Sequence, residues 1–250
     1  MLEELKSLRK EILKVSNHNK AGHIPSAFSI LEILFCLYNK VLTNEDSFLL
    51  SKGHGCLALY SMFWLKEFIT KEEFYSFSQY NSLLGGHPDR NKLKQIEISA
   101  GSLGHGLPIA VGMALSKKIK NEDGKIFCLV GDGECNEGTT WESSLLASTL
   151  KLNNLVCIID NNNSQVRAVP TSDLENKFGS FGFNVLQCNG HNLDELTNKL
   201  QQKSEKPLAI ICNTIKGFGI TEMETDMFSW HHGPPTDEKL KLFLEELDKK

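Results

Sequence analysis

Two short apolar runs constrain this chain most. Lys125-Ile-Phe-Cys-Leu-Val130 and Leu155-Val-Cys-Ile-Ile159 suit strands buried on both faces, and Trp141 to Leu150 between them carries apolar residues at helical spacing. Strand, helix, strand at this distance implies two parallel strands joined by a crossover helix, with both carboxyl ends on one edge. The first run leads into Val130-Gly-Asp-Gly-Glu-Cys-Asn-Glu-Gly138 and the second into Asp160-Asn-Asn-Asn163. Asp132 and Asn162, 30 residues apart, therefore both reach the edge where open α/β sheets bind ligands. Carboxylate and amide oxygens suit a hard cation, and Mg²⁺ held by few protein ligands typically carries a phosphate. The residues alone thus predict a metal-bridged diphosphate site.

The alternation continues to residue 213. Strands are expected over 125–130, 154–160, 183–188 and 207–213, with helices over about 138–151, 172–180 and 192–204. The fold class is α/β, a parallel sheet with helices on both faces, preceded by a helical N-terminal half. Leu2, Leu5, Leu8, Ile12 and Val15 mark an amphipathic first helix. A second is expected to run to about Lys40, with Ser29 and Glu32 spaced as a capping box. Ser51-Lys-Gly-His54-Gly55 precedes a helical run to Phe68, and Thr70 with Glu73 caps another helix ending near Gln79. Gly85-Gly-His-Pro-Asp89 reads as a turn, and Gly101-Ser-Leu-Gly-His-Gly106 opens a helix through Lys118. A long loop, 213–235, holds Lys216-Gly-Phe-Gly and Trp230-His-His-Gly-Pro234 before a terminal helix capped by Thr236. With no repeat or linker, residues 1–250 read as one domain.

Composition narrows the partners. A net charge of −4, with 23% charged and 40% hydrophobic residues, gives no reason to expect nucleic acid or a membrane. No apolar run reaches the roughly 18–20 residues of a span, and Met-Leu-Glu-Glu-Leu-Lys is unlike a signal peptide. Seven cysteines, an odd count without a C-x-x-C pair, imply reduced structural thiols in a cytoplasmic protein. Even Cys135, in the central loop, is better read as filler.

The central loop has rival readings. Gly131 and Gly133 permit tight turning, and the helix start beyond offers amides to phosphate. A dinucleotide turn is one alternative, but G-x-G-x-x-G fails at Asn136, and Asp132 repels a bare pyrophosphate unless a cation lies between. Asp132 as a helix cap and Asn161 to Asn163 as turn formers are the plainer alternatives. Four further loops each hold a histidine beside glycine, a side chain that donates, accepts and titrates near neutral pH.

Together these residues resemble a known family. G-D-G followed after some 30 residues by N-N is the motif of thiamine-diphosphate enzymes, and G-D-G-x-x-x-E-G over 131–138 resembles the N-terminal diphosphate-binding domain of transketolase. Gly22-His23, Ser51-Lys-Gly-His54-Gly, Gly86-His87-Pro-Asp89, Gly101-Ser-Leu-Gly and the late His-Gly-x-Pro match its landmarks in order, from about residue 15 to 236. The resemblance implies a thiamine-diphosphate-binding fold with thiamine diphosphate and Mg²⁺ (or Ca²⁺ or Mn²⁺) as cofactors. Asp132, the Asn162 side chain and the Ser164 carbonyl would hold the metal, and the Gly131–Gly133 loop would approach the diphosphate with the Gly133 amide. His54 would lie near the diphosphate, His23 near the substrate, and His87 near the hydroxyls of the donor sugar. Leu103, in the loop opened by Gly101, and Val166 would pack on the aminopyrimidine. Lys216 falls beside the cofactor. His232, or His231 on a one-residue shift, would stand between diphosphate and substrate, so His23, His87 and His232 form the expected catalytic set. Glu137 and Glu142 match acidic residues linking two active sites near the subunit interface.

Departures from the pattern are His105 for glutamine, Pro25 for glycine, and Arg167-Ala168 for Asp-Gly. They lie near cofactor or substrate and question the ordinary pentose-phosphate substrates. A complete transketolase is over twice this length, and the half that holds the aminopyrimidine is missing. The chain begins and ends on amphipathic helices. The resemblance thus implies one subunit of a split transketolase, moving a two-carbon ketol unit from a ketose to an aldose, commonly phosphorylated sugars. It would be active with a separate pyrimidine-binding chain, in an α₂β₂ assembly. The alternatives are a decarboxylating transfer from pyruvate to a sugar, a nicotinamide-binding domain, and a non-catalytic regulatory subunit.

Overall fold

The computed structural model describes residues 2–250. Five parallel strands form its sheet: β1 Ser47–Leu50, β2 Ile126–Gly131, β3 Leu155–Asn161, β4 Asn184–Asn189 and β5 Leu208–Asn213, in the order β1-β2-β3-β5-β4. The four strands expected from the sequence are present with boundaries shifted by about a residue. β1 was not expected, because Phe48-Leu-Leu is too short a run to stand out before the glycine-rich loop. It pairs with β2 along its whole length, Ser47 opposite Ile126 and Leu50 opposite Leu129.

Successive side chains on a strand point to opposite faces, and here each face has its own core. Phe127, Leu129, Val156, Ile158, Leu208 and Ile210 pack on the N-terminal helices α1 (Glu3–Asn19), α2 (Ile24–Phe28), α3 (Leu31–Cys36), α4 (Cys56–Leu65) and α5 (Lys71–Tyr75). Ile126, Cys128, Val130, Leu155, Cys157 and Ile159 pack on α6 (Gly106–Lys120), α7 (Gly138–Thr149) and α8 (Leu174–Ser180). Burial on both faces explains why these strands read as unbroken apolar runs. Helix α9 (Leu193–Leu200) covers β4 on the first side, where the terminal helix α11 (Asp237–Asp248) also joins the core; α10 (Thr221–Thr225) interrupts a stretch read as loop.

The capping box at Thr70 and Glu73 forms as expected, opening α5. The one at Ser29 and Glu32 does not. The chain breaks between α2 and α3, the Ser29 hydroxyl hydrogen-bonds Asp160 and the Ser26 carbonyl, and Glu32 pairs with Arg9. Partners from distant elements outcompete the local cap. All seven cysteines are buried and unbridged. Among the described residues no helix is long and apolar enough to cross a membrane.

Candidate functional site

Four neighbouring strands deliver polar residues to one edge of the sheet. β1 runs into Ser51 and Lys52, β2 into Asp132 to Glu134, β3 carries Asp160 and leads to Asn162, and β5 runs into Thr214 to Lys216. Each polar residue follows an apolar run long enough to cross the core, so the charge emerges where the sheet ends.

Asp132 and Asn162 meet there as the spacing predicts. The Ser164 amide donates both to Asp132 Oδ2 and to Asn162 Oδ1, each at 3.0 Å, so the two oxygens converge on one point. Asp132 Oδ1 also accepts from the Ser164 hydroxyl at 3.0 Å and the Gly133 amide at 2.8 Å. Burial, then the nearby Asp160 carboxylate, raises the Asp132 pKa. Two converging oxygen donors in a place that penalises an uncompensated carboxylate fit a hard divalent cation. Gly133 leaves room for Gln165: a Cβ at position 133 would lie 2.2 Å from Gln165 Nε2, so that side-chain end would have to move aside.

A buried network with little trace in the sequence orients this pair. Asp160 Oδ2 accepts from Asn162 Nδ2 and the Ser29 hydroxyl, both at 2.8 Å, and pairs with the Lys52 ammonium; Asp160 Oδ1 takes the Thr214 hydroxyl. With its amide nitrogen tied back, Asn162 presents its oxygen toward Asp132. Lys52 also donates to the Ser26 carbonyl at 3.1 Å and Ser29 Oγ at 2.9 Å. The only sequence signal was an aspartate closing an apolar strand. Glu134, an unassigned position within the matched motif, ties three loops: it accepts from the Ser51 hydroxyl, the Gly104 amide at 2.9 Å and the Gly131 amide at 3.0 Å. Burial raises its pKa against those bonds.

At the Asp132 loop opens a cavity of about 280 Å³, lined also by Lys52, His54, Lys216, His231, Leu103 and Gln165. Lys216 is buried, and that burial, followed by repulsion from Lys52, lowers its pKa to about 8. It remains an ammonium at neutral pH and offers the cavity a cation 3.3 Å from His231 Nδ1. The lysine pair and the Asp132–Asn162 oxygens together suit a metal-bound diphosphate.

Beside the cavity five histidines gather from loops far apart in sequence. The His23 ring lies 4.3 Å from His54, 4.6 Å from His232, 5.6 Å from His231 and 6.2 Å from His87 between centroids. His54 lies 5.1 Å from His87. Burial first, then the neighbouring imidazoles, lowers His23 to about 3 and His54 to about 4, and burial lowers His87 as well. Burial thus disfavours the charged form of His23, His54 and His87, and a neutral imidazole both donates and accepts. Both His231 and His232 reach the cluster; His231 also lines the cavity.

The remaining expected residues sit less centrally. Gly101, at φ +139°, faces the His87 ring, and Val166 is exposed and does not line the cavity. Glu137 and Glu142 are exposed at the start of α7, and Glu137 does not line the cavity. His105 is exposed and bonds Ser102 and the Leu103 carbonyl. Arg167 stacks on Phe228, 3.9 Å from the ring centroid, and so joins the loop of Val166 to the loop of His231.

Residues 4–246 match the family described as transketolase, thiamine diphosphate binding domain. The chain is 35% identical to an apulose-4-phosphate transketolase subunit of Actinobacillus succinogenes, over 98% of this chain and 95% of that one. It is 33% identical to the 6-deoxy-6-sulfo-D-fructose transketolase subunit SqwG of a Clostridium species, over 97% and 94%. The crystal structure of transketolase from Campylobacter jejuni superposes with a TM-score of 0.87 at 30% identity, covering 98% of this chain but 42% of that one. The chain thus spans about two-fifths of the single-chain transketolase and nearly the whole of the two subunits.

Proposed function

The chain belongs to the transketolase family, as its thiamine diphosphate binding domain, and we propose that it is the cofactor-diphosphate-binding subunit of a two-chain transketolase. The observation that carries this reading is the convergence of Asp132 and Asn162 oxygens on Ser164 at a cavity lined by Lys216 and His54. In this reading residues 1–250 form one domain. Asp132, Asn162 and the Ser164 carbonyl hold Mg²⁺, while the Gly133 amide, Lys216 and His54 face the diphosphate. Leu103 and Val166, with Gly101 turning the chain, meet the aminopyrimidine, and Glu137 faces the interface. When bound, the cofactor supplies the carbon nucleophile that takes up the two-carbon unit.

His23, His87 and His232, with His231 beside them, manage protons at the sugar hydroxyls. Neutral imidazoles held within one cluster can accept a proton from one hydroxyl and return it to another. His23 and His54 stay neutral across the physiological range because burial, then His54 beside His23 and His87 beside His54, oppose protonation.

A second chain supplies the pyrimidine-binding half, a reading supported by the nearly end-to-end match to proteins named as subunits; the proposed assembly is α₂β₂. The names of those relatives specify a 4-phosphate in one substrate and a 6-sulfo group in the other. The donor here is accordingly a ketose with an anionic group at its far end. Seven buried thiols, none paired, suit a reducing cytoplasm.

The test is to mix the purified chain and its partner with thiamine diphosphate, Mg²⁺, a ketose phosphate and an aldose phosphate. Two-carbon transfer should need both chains. Full turnover by this chain alone would sink the split-subunit reading, and an Asp132→Ala complex with unchanged cofactor affinity would sink the site.

A further inference from the structure

His191 has no part in the site described above, yet the structure gives it partners on three sides. It stands in the turn after β4, where its Nε2 accepts the Ile215 amide at 2.9 Å. With that nitrogen an acceptor, the ring's proton is on Nδ1, which donates to Glu32 Oε2 at 3.1 Å. A doubly protonated ring would set two donors against each other at Ile215, so these partners select one neutral tautomer. The ring face stacks on Phe218, with centroids 3.7 Å apart and planes 16° from parallel.

Glu32 is itself held. Its oxygens lie 2.7 and 2.9 Å from Arg9 Nη2, and Arg9 Nε donates to the Phe218 carbonyl at 2.9 Å. Arg9 and Glu32 are buried, and the His191 side chain is 7% exposed. The chain of contacts therefore runs from α1 through α3 to the β4 turn and back to the loop after β5. A buried ion pair seldom adds net stability over apolar packing and is better explained where it selects one arrangement.

What it selects is the loop carrying Lys216. Ile215 and Phe218 are the two points gripped, and Lys216 lies between them. On the preceding side Thr214 is tied to the Asn161 carbonyl at 3.2 Å and to Asp160. Gly217 follows at φ +83°, its amide 3.1 Å from the Pro25 carbonyl. Lys216 is thus locked between the metal-side network and the Arg9–Glu32–His191 chain.

We propose that His191 is a positioning residue for Lys216: through the Ile215 amide and the Phe218 ring, backed by Glu32 and Arg9, it sets where the Lys216 ammonium meets a diphosphate. This rests on the reading of Lys216 as a diphosphate contact.

The experiment titrates the complex of this chain and its partner with thiamine diphosphate, and separately with inorganic pyrophosphate, at fixed Mg²⁺. His191→Phe keeps a flat ring on Phe218 but removes the acceptor that fixes the Ile215 amide, a loss of one hydrogen bond, so affinity should fall about two- to tenfold. Lys216→Met should weaken binding comparably, and H191F/K216M should bind no worse than K216M, because the two act through one contact. His191→Gln can offer an acceptor to Ile215 and should restore most of the affinity; His191→Asn is too short to do so and should not. That Gln/Asn pair decides the matter if the Phe variant fails to fold. A purely structural role would lower the denaturation midpoint while the affinity losses of H191F and K216M simply added. Additive losses, unchanged affinity in H191F or K216M, or equal affinity in the Gln and Asn variants would overturn the proposal. A wild-type complex of the two chains that bound neither ligand would instead overturn the proposed function, and this inference with it.

Discussion

Asp160→Asn tests whether the buried network both stabilises the chain and aims Asn162. The substitution keeps volume and removes the charge facing Lys52. Asp160 is fully buried and the Lys52 side chain is 8% exposed, so the ammonium is left without its counter-charge away from water. Removing one partner of a buried pair costs about 3–5 kcal/mol. Lys52 keeps the Ser26 carbonyl and Ser29 hydroxyl, which places the expected loss near the lower figure. At roughly 2–4 °C per kcal/mol for a chain of this size, Tm should fall by about 6–12 °C for a loss of about 3 kcal/mol. Asn162 also loses the carboxylate that holds its amide nitrogen, and such supporting contacts are worth about 10–100-fold in metal affinity. Mg²⁺-dependent binding of thiamine diphosphate, followed calorimetrically, should weaken within that range. Adding Lys52→Met should recover part of the stability, because the charge without a partner is gone, but none of the metal affinity. A D160N chain with unchanged Tm, or losses in D160N and K52M that add without coupling, would refute the network as described.

Three further outcomes are expected. Lys216 has a folded pKa of about 8 against an ordinary 10.5, so above pH 8 the native state sheds a proton that the unfolded chain keeps. Stability should therefore rise from pH 8 toward 10.5 while pyrophosphate affinity falls; Lys216→Arg should abolish the affinity limb, and a limb persisting there would assign it elsewhere. His23 and His54, lowered to about 3 and about 4, should show flat imidazole NMR shifts from pH 5 to 8. Because the unfolded chain takes up those protons near pH 6.5, their contribution to stability should decline as pH drops below that value toward the folded pKa values; denaturation series at pH 7 and pH 5 check the sign. Thr70→Ala removes the cap acceptor of α5 and should cost about 1 kcal/mol by urea denaturation, leaving cofactor affinity unchanged.

Much of this protein was legible in one dimension. Strands β2, β3 and β5 announced themselves because burial on both faces demands unbroken apolar runs, and those runs are local; the edge strand β4 is largely exposed and showed only through Val185, Leu186 and Cys188. The acidic and amide residues following β2 and β3 could be placed on one sheet edge because a parallel crossover leaves no other geometry. Asp132, Asn162 and the histidine loops followed from that placement and from the resemblance of their motifs. What the tertiary structure alone decided was which polar groups face one another. Ser29 and Glu32 carry the spacing of a capping box, but one bonds Asp160, 131 residues away, and the other pairs with Arg9. Asp160, Lys52, Glu134 and His191 gain their partners in the same way, across strands and turns distant in sequence. Periodicity and local propensity report a residue's own turn or strand; a buried charge is stabilised by whatever the folded chain brings beside it, and only the assembled sheet determines that.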